Sequence, residues 1–352
     1  MDKSVVFAVA GSGKTRMLIE KLSLEETFLI LTFTDNNLKN LRSRVIQKFG
    51  YVPNSITLAT YFSFLHSFCY RPLFAMKMNT KGFNWDPPPL RTQKISRDSI
   101  NYYIDGARRI YYGRLALFLE KHHAIPDIVA RVEKYFDSIL VDEVQDFAGH
   151  DFNFLATVAS NANVEVLLVG DFYQHTFDTS RDGATNNALH DDYTKYRDRF
   201  KKIGITIDDR SLLESHRCAP AICEFVEYQL GIAMQAKSNK EAKVELISEQ
   251  VRADELFSDD AIVKLFYSES SKFKCHSLNW GGAKGLDHFS DVCVVMPDNV
   301  LKAYQKGKLT TLPASTRNKL YVACTRANRH LYLVPGVLLK QYKASRPNQS
   351  AE

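Results

Sequence analysis

Long apolar runs are missing from this chain. No stretch of its 352 residues approaches the roughly 18 consecutive apolar residues of a membrane-crossing helix. The opening "MDKSVVFAVAGSGK" holds only a short apolar stretch ended by glycine and lysine, which argues against a secretory leader. A cytoplasmic protein with no membrane partner is the expectation. Cysteine is sparse as well. Cys69, Cys218, Cys223, Cys275, Cys293 and Cys324 are scattered without C-x-x-C spacing, so neither a zinc site nor a disulfide framework is indicated. There is no repeat of fixed period and no low-complexity tract. Excess charge is also slight: 46 basic against 40 acidic residues permits a polyanionic partner without requiring one. What remains is ordinary globular material, 45% hydrophobic and 24% charged, with length enough for two or three domains.

Chemistry enters with "AVAGSGKTR" at residues 8–16. Phosphate loops follow G-x-x-x-x-G-K-[ST], in which backbone N–H groups cradle phosphates, the lysine reaches the outer ones and the hydroxyl holds Mg²⁺. Gly13, Lys14 and Thr15 fit, but Ala8 stands where the first glycine belongs. The loop alone leaves nucleotide binding and a plain glycine-rich turn equally open. Its context favours binding, because "SVVFAVA" reads as a buried strand and "KTRMLIEKLSL" as a helix. Further strands are expected at "TFLILTFT", "FDSILVDE" and "VEVLLVGD", all continuous apolar runs suited to a parallel sheet covered on both faces. The stretch 71–135 breaks this alternation and reads as a small, mostly helical insertion. From residue 212 a second α/β unit follows, with strands at "KVELIS", "AIVKLFYSE", "DVCVVMP" and "RHLYLVPG". The expected organisation is thus a first domain over 1–70 and 136–211, the insertion over 71–135, a second domain over 212–340 and a frayed tail over 341–352.

"ILVDEVQD" (139–146) supplies a second half to the site. A buried strand ending in Asp142-Glu143 presents two carboxylates where open α/β sheets bind ligands. Asp142 would hold Mg²⁺, directly or through water, and Glu143 would orient and deprotonate an attacking water. The bland alternative is a solvated acidic pair at a strand end.

In order along the chain, these segments resemble the UvrD/Rep-type superfamily 1 DNA helicases and translocases. "AVAGSGKTR" is similar to their phosphate loop, "LTFTDNNLKNLRSRV" to their "TFTN" segment, "ILVDEVQDF" to their D-E-x-Q-D box and "LLVGDFYQHTF" to "VGDxxQSIY". "LLESHRCAPAI" stands where the family has "LxxNYRS", "GGAKGLDHFSDVCVV" resembles "HSAKGLEF", and "LYVACTRANRHLYL" is close to "YVAxTRA". The resemblance implies two RecA-like parallel-sheet domains of the P-loop NTPase type with a small helical insertion, closing on ATP at their interface. It implies catalytic roles for Lys14, Asp142, Glu143, Gln174, Arg217 and Arg326, the two arginines neutralising the transferring phosphoryl group. Nucleotide would be held by Ala10, Gly11, Ser12, Gly13, Lys14, Thr15, Arg16, His216, Gly285 and Asp287, and Mg²⁺ by Thr15 and Asp142. By the same resemblance Arg16 and His216, which stands where the family carries tyrosine, would stack on either face of the base; the family's glutamine-bearing segment finds no room in the seven residues ahead of the loop, which leaves specificity for ATP open.

The DNA side, by the same resemblance, comprises Thr32, Thr34, Asn36, Thr60, Phe62, Phe177 and Lys284, which combine phosphate-holding polar groups with aromatic faces that stack bases. Only 66 residues separate Arg217 from Lys284, so the family's large second insertion is absent. Within 71–135, Tyr102, Tyr103, Arg108, Arg109, Tyr111, Tyr112 and Arg114 offer a basic and aromatic surface, but the reading favoured for the tyrosines is helix packing. The expected activity is ATP-driven 3′→5′ movement on single-stranded or tailed DNA. The alternatives are an ATP-binding regulatory subunit that controls an associated nuclease in phage defence, and a degenerate fold relative that does not hydrolyse ATP.

Overall fold

Strands that are apolar along their whole length are stable only where both sheet faces are covered, and that is where this chain places them. The computed structural model describes residues 1–176 and 183–344. Its first sheet is built from β1 (Lys3–Phe7), β2 (Phe28–Thr32), β3 (Ile56–Thr60), β4 (Ser138–Asp142), β5 (Glu165–Gly170) and β6 (Thr206–Asp208). The strands run in the order β3-β2-β4-β5-β1-β6 and every pairing is parallel. β2 and β4 are buried at every residue, whereas the edge strands β3 and β6 are partly open to solvent. The strand β6 escaped the sequence reading because its three residues carry no apolar run.

Three neighbouring strands, β4, β5 and β1, end side by side. The turns after them begin at Glu143, Asp171 and Ala8, so the carboxylate box, the "VGD" turn and the phosphate loop all leave the same edge of the sheet. The helix Asp35–Phe49 is started by Thr34, whose side chain accepts from the Asn37 N–H, and is stopped by Gly50 at φ 83°.

Residues 71–135 are less helical than their pattern suggests. The helical stretch that follows β3 runs through a π-helical segment, Phe64–Ala75, into the region. The helices Ile100–Tyr103, Leu115–Lys121 and Ile125–Tyr135 are joined by 3₁₀ turns and by a short parallel pair, Phe83–Asn84 with Ile110–Tyr111. Two-residue strands give too little alternation to be read from sequence. Tyr102, Tyr103, Tyr111 and Arg114 are all buried here, and the Arg114 guanidinium lies 3.7 Å from the centre of the Tyr102 ring.

The second sheet comprises β7 (Val244–Leu246), β8 (Val263–Phe266), β9 (Ser277–Asn279), β10 (Val292–Met296) and β11 (Leu331–Pro335). Its order is β7-β11-β10-β8-β9, again entirely parallel. The helices Pro220–Leu230 and Ala314–Cys324 pack into the apolar core on one face of this sheet. Residues 341–344 stand at the start of the stretch expected to be frayed, and side chains among them make contacts. Tyr342 stacks on Phe257 at 3.9 Å and donates to the Asp254 carboxylate at 2.8 Å.

Packing divides the chain into two compact units. One contains Met1–Ala8, Lys14–Phe172 and Asp178–Ser211; the other contains Val9–Gly13, Tyr173–Phe177 and Leu212–Glu352. Residues 71–135 belong to the first unit and form no unit of their own. Among the described residues no helix is long and apolar enough to cross a membrane.

Candidate functional site

In the first unit, helix Lys14–Lys21 begins directly after the glycine-rich turn, with Lys14 itself buried. The hydroxyl of Thr15 donates to Asp142 Oδ2 at 3.1 Å, joining residues 127 positions apart in sequence. Asp142 is buried, and that burial, reinforced by the neighbouring Glu143 carboxylate and opposed by Lys14, pushes its carboxyl up to about 7. A cation at this point would reverse the shift, because it favours the ionised form.

Glu143 adopts φ 57°, in the left-handed region where a side chain other than glycine is strained. This bend turns the chain out of β4, and the Glu143 N–H donates to Asp142 Oδ1 at 3.1 Å. Gln145 holds the arrangement from behind. Its amide nitrogen donates to Glu143 Oε2, and its amide oxygen accepts from the buried Asp171 N–H at 3.0 Å. Gly170 makes room for it, since a Cβ there would lie 2.4 Å from Gln145 Oε1. Gln145 lies inside the D-E-x-Q-D box but was not read as functional. The motif itself was the available signal.

In the second unit, two arginines from segments more than a hundred residues apart converge on one carboxylate. Arg217 lies 2.5 Å and Arg326 3.1 Å from Asp287 Oδ1. Arg326 is almost fully buried and is held further by the carbonyls of Val322 and Leu286, each at 3.2 Å. Burial, together with the Arg217 charge, lowers its pKa to about 10 despite Asp287. Three residues singled out from three separate segments are thus brought together.

The glycine-rich segment Val9–Gly13 packs with this unit. Gly11 and Gly13 have φ 74° and 93°, values that glycine adopts freely. The Ala10 N–H donates to the Tyr321 hydroxyl at 2.7 Å, and its carbonyl accepts from Ser215 Oγ at 2.8 Å. Gly11 O accepts from the His216 N–H at 2.9 Å, and a Cβ on Gly11 would fall 2.6 Å from that of Arg217. Tyr321 and Ser215 were missed by sequence reasoning; Tyr321 sits in the "YVAxTRA"-like segment. Ser12 is buried and donates to Val9 O, Arg16 is exposed and paired with Glu20 at 2.6 Å, and the His216 ring is exposed. Gln174 is buried at the end of the turn Phe172–Gln174. Gly285, at φ 80°, and half-buried Lys284 lie in the loop that leads to Asp287.

The DNA-side residues divide. Thr32 is completely buried at the end of β2. Thr34 and Thr60 use their hydroxyls as helix caps, Thr60 accepting from the Ser63 N–H at 3.2 Å. Asn36 is exposed on the first turn of its helix and Phe62 is half-buried. Phe177 lies outside the described residues.

Residues 1–93 match the UvrD/REP helicase N-terminal domain. The matched segment contains the phosphate loop, Thr15 and the whole "TFTD" helix. No curated protein matches the chain. Solved structures similar to it include one titled the structure of PRRSV helicase, 14% identical, with a TM-score of 0.48 over 99% of this chain and 55% of that one. Another is a complex of arterivirus nonstructural protein 10, a helicase, with DNA: 14% identical, TM-score 0.47, covering 96% of this chain and 63% of that one. The chain spans less than two thirds of the length of either. The segment that matches the UvrD/REP domain carries the phosphate loop and lies in the first of two sheets whose pairings are all parallel.

Among the described residues no group of three or more His, Cys, Asp and Glu side chains could hold a metal by itself. The hydroxyl–carboxylate pair of Thr15 and Asp142 nonetheless suits Mg²⁺, which takes one or two protein oxygens and completes its shell with water and substrate phosphates.

Proposed function

We propose that the protein is a DNA-dependent ATPase that couples ATP hydrolysis to 3′→5′ stepping along single-stranded DNA. The 3.1 Å bond between Thr15 and Asp142 supports this reading best, because it joins a phosphate-loop hydroxyl to a strand-end carboxylate, the pair a nucleotide-bound cation would use. Thr15 and Asp142 would hold Mg²⁺, which would supply charge neutralisation at the nucleotide's phosphates. Lys14 binds the outer phosphates. Glu143, aimed by its left-handed backbone and by Gln145, accepts the proton of the attacking water. Arg217 and Arg326 stabilise charge on the phosphoryl group in the transition state. Gln174 contacts the γ-phosphate or its water, Gly285 and Asp287 take part in the nucleotide response, and Arg16 with His216 flanks the base. The direction of movement rests on the family resemblance.

An ATPase assay with and without single-stranded DNA tests the reading. Lys14→Ala should lose both nucleotide binding and turnover, and Glu143→Gln should bind ATP and retain it unhydrolysed. DNA-stimulated hydrolysis near the wild-type rate in Glu143→Gln overturns the base assignment. Absence of any DNA stimulation in the wild-type protein overturns the function.

A further inference from the structure

The chain's formal excess of six positive charges is not spread over it. Residues 61–115 hold nine Lys and Arg against three Asp, a difference equal to that of the whole chain, so the remainder is balanced. Eight of those nine basic residues are exposed, Arg114 being the exception. The same span carries an open aromatic cluster. The parallel pairing of Phe83 with Ile110 and of Asn84 with Tyr111 sets the next residue of each strand, Trp85 and Tyr112, beside one another. Their rings are 5.3 Å apart, and Trp85 also lies 4.9 Å from Phe62. Phe83 supports the group from behind, 4.9 Å from Phe62. Trp85 is 60% and Tyr112 38% exposed, an unusual loss of apolar burial for residues with no partner to receive. Lys81 and Arg108, both exposed, are joined through their backbones at 2.8 Å just ahead of the two strands.

We propose that Trp85, Tyr112 and Phe62 form a stacking platform for the bases of single-stranded DNA, with the surrounding basic residues holding its phosphates. Aromatic faces accept any base, and a local positive surface selects a polyanion over an apolar protein segment. The proposal rests on the DNA-stepping reading above and extends it from the sheet edge onto residues 83–112.

The protein carries its own probe. It has two tryptophans, and Trp280 is fully buried with its indole N–H bonded to Leu265 O, so Trp85 is the only exposed indole. Titration with oligo(dT) should quench the exposed emission. Trp85→Ala should weaken binding about ten-fold without changing its salt dependence, because stacking releases no counterions. Trp85→Phe should abolish the quenching but keep the affinity, and both variants should melt at the wild-type temperature because the side chain is largely in water. If the wild type binds oligo(dT) with no change in emission and Trp85→Ala binds equally well, the platform is refuted while the DNA reading stands. If the wild type does not bind oligo(dT), the DNA reading fails and the platform with it. Quenching by rising protein concentration, and not by DNA, reassigns the face to self-association.

Discussion

Replacing Gly170 by alanine probes the support beneath the carboxylate box. The added methyl would lie 2.4 Å from Gln145 Oε1, 2.7 Å from Val144 Cγ1 and 3.1 Å from Val144 N. Carbon contacts are comfortable only from about 3.5 Å, so the Gln145 side chain must withdraw by roughly 1 Å. That movement strains the 3.0 Å bond from the Asp171 N–H, a donor buried with no access to water. Overpacking costs about 1–3 kcal/mol, and loss of a partner for a buried donor about 1–3 kcal/mol more. For a unit of this size each kcal/mol lowers Tm by roughly 2–4 °C, so a fall of about 4–24 °C is expected in a thermal melt. Turnover should fall as well, because Gln145 also donates to Glu143 Oε2, and a misplacement of about 1 Å in a reacting group can cost about 100-fold. In a Gln145→Ala background the same substitution should cost less, because the group it strikes is gone. Equal losses in both backgrounds, or a Gly170→Ala protein with wild-type Tm and kcat, would refute the reasoning.

Two further outcomes are expected. Arg217→Ala should leave ATP affinity nearly intact and lower kcat by about 10³-fold in a steady-state assay; it is the cleaner choice, since removing the buried Arg326 would also disturb folding of the second unit. A second prediction concerns pH. Burial raises Glu120 to about 7, and burial with the nearby Glu120 charge raises Asp151 to about 7, close to His150 Nδ1 at 4.0 Å from Glu120. Because these carboxyls bind protons more tightly folded than unfolded, stability should decline as pH rises from about 4.5 through 7. Glu120→Gln should flatten that decline by about 1–2 kcal/mol, read from urea midpoints at both ends of the range; an unchanged slope would exclude the pair as its source.

The parallel sheets were legible in the sequence, and the candidate nucleotide residues could be named from it, because both signals are local. A continuous apolar run needs burial on two faces wherever it lies, and "GSGKT" or "VDE" states its chemistry within a few residues. The edge strands β6 and β9, each three residues long, were not legible, since no periodicity fits so short a span. Nor was the role of Gln145, which depends on Asp171 arriving from the next strand of the sheet. Thr32 and Thr34 stand two residues apart in one motif, yet one is sealed at a strand end and the other caps a helix, a difference that burial alone decides. The aromatic platform is the plainest case. Phe62, Trp85 and Tyr112 are far apart in the chain; the short parallel pairing of 83–84 with 110–111 brings Trp85 to Tyr112, and tertiary packing adds Phe62. Sequence determined which residues could do chemistry, because that is a property of each side chain. Tertiary structure decided which of them meet, because contact is a property of pairs.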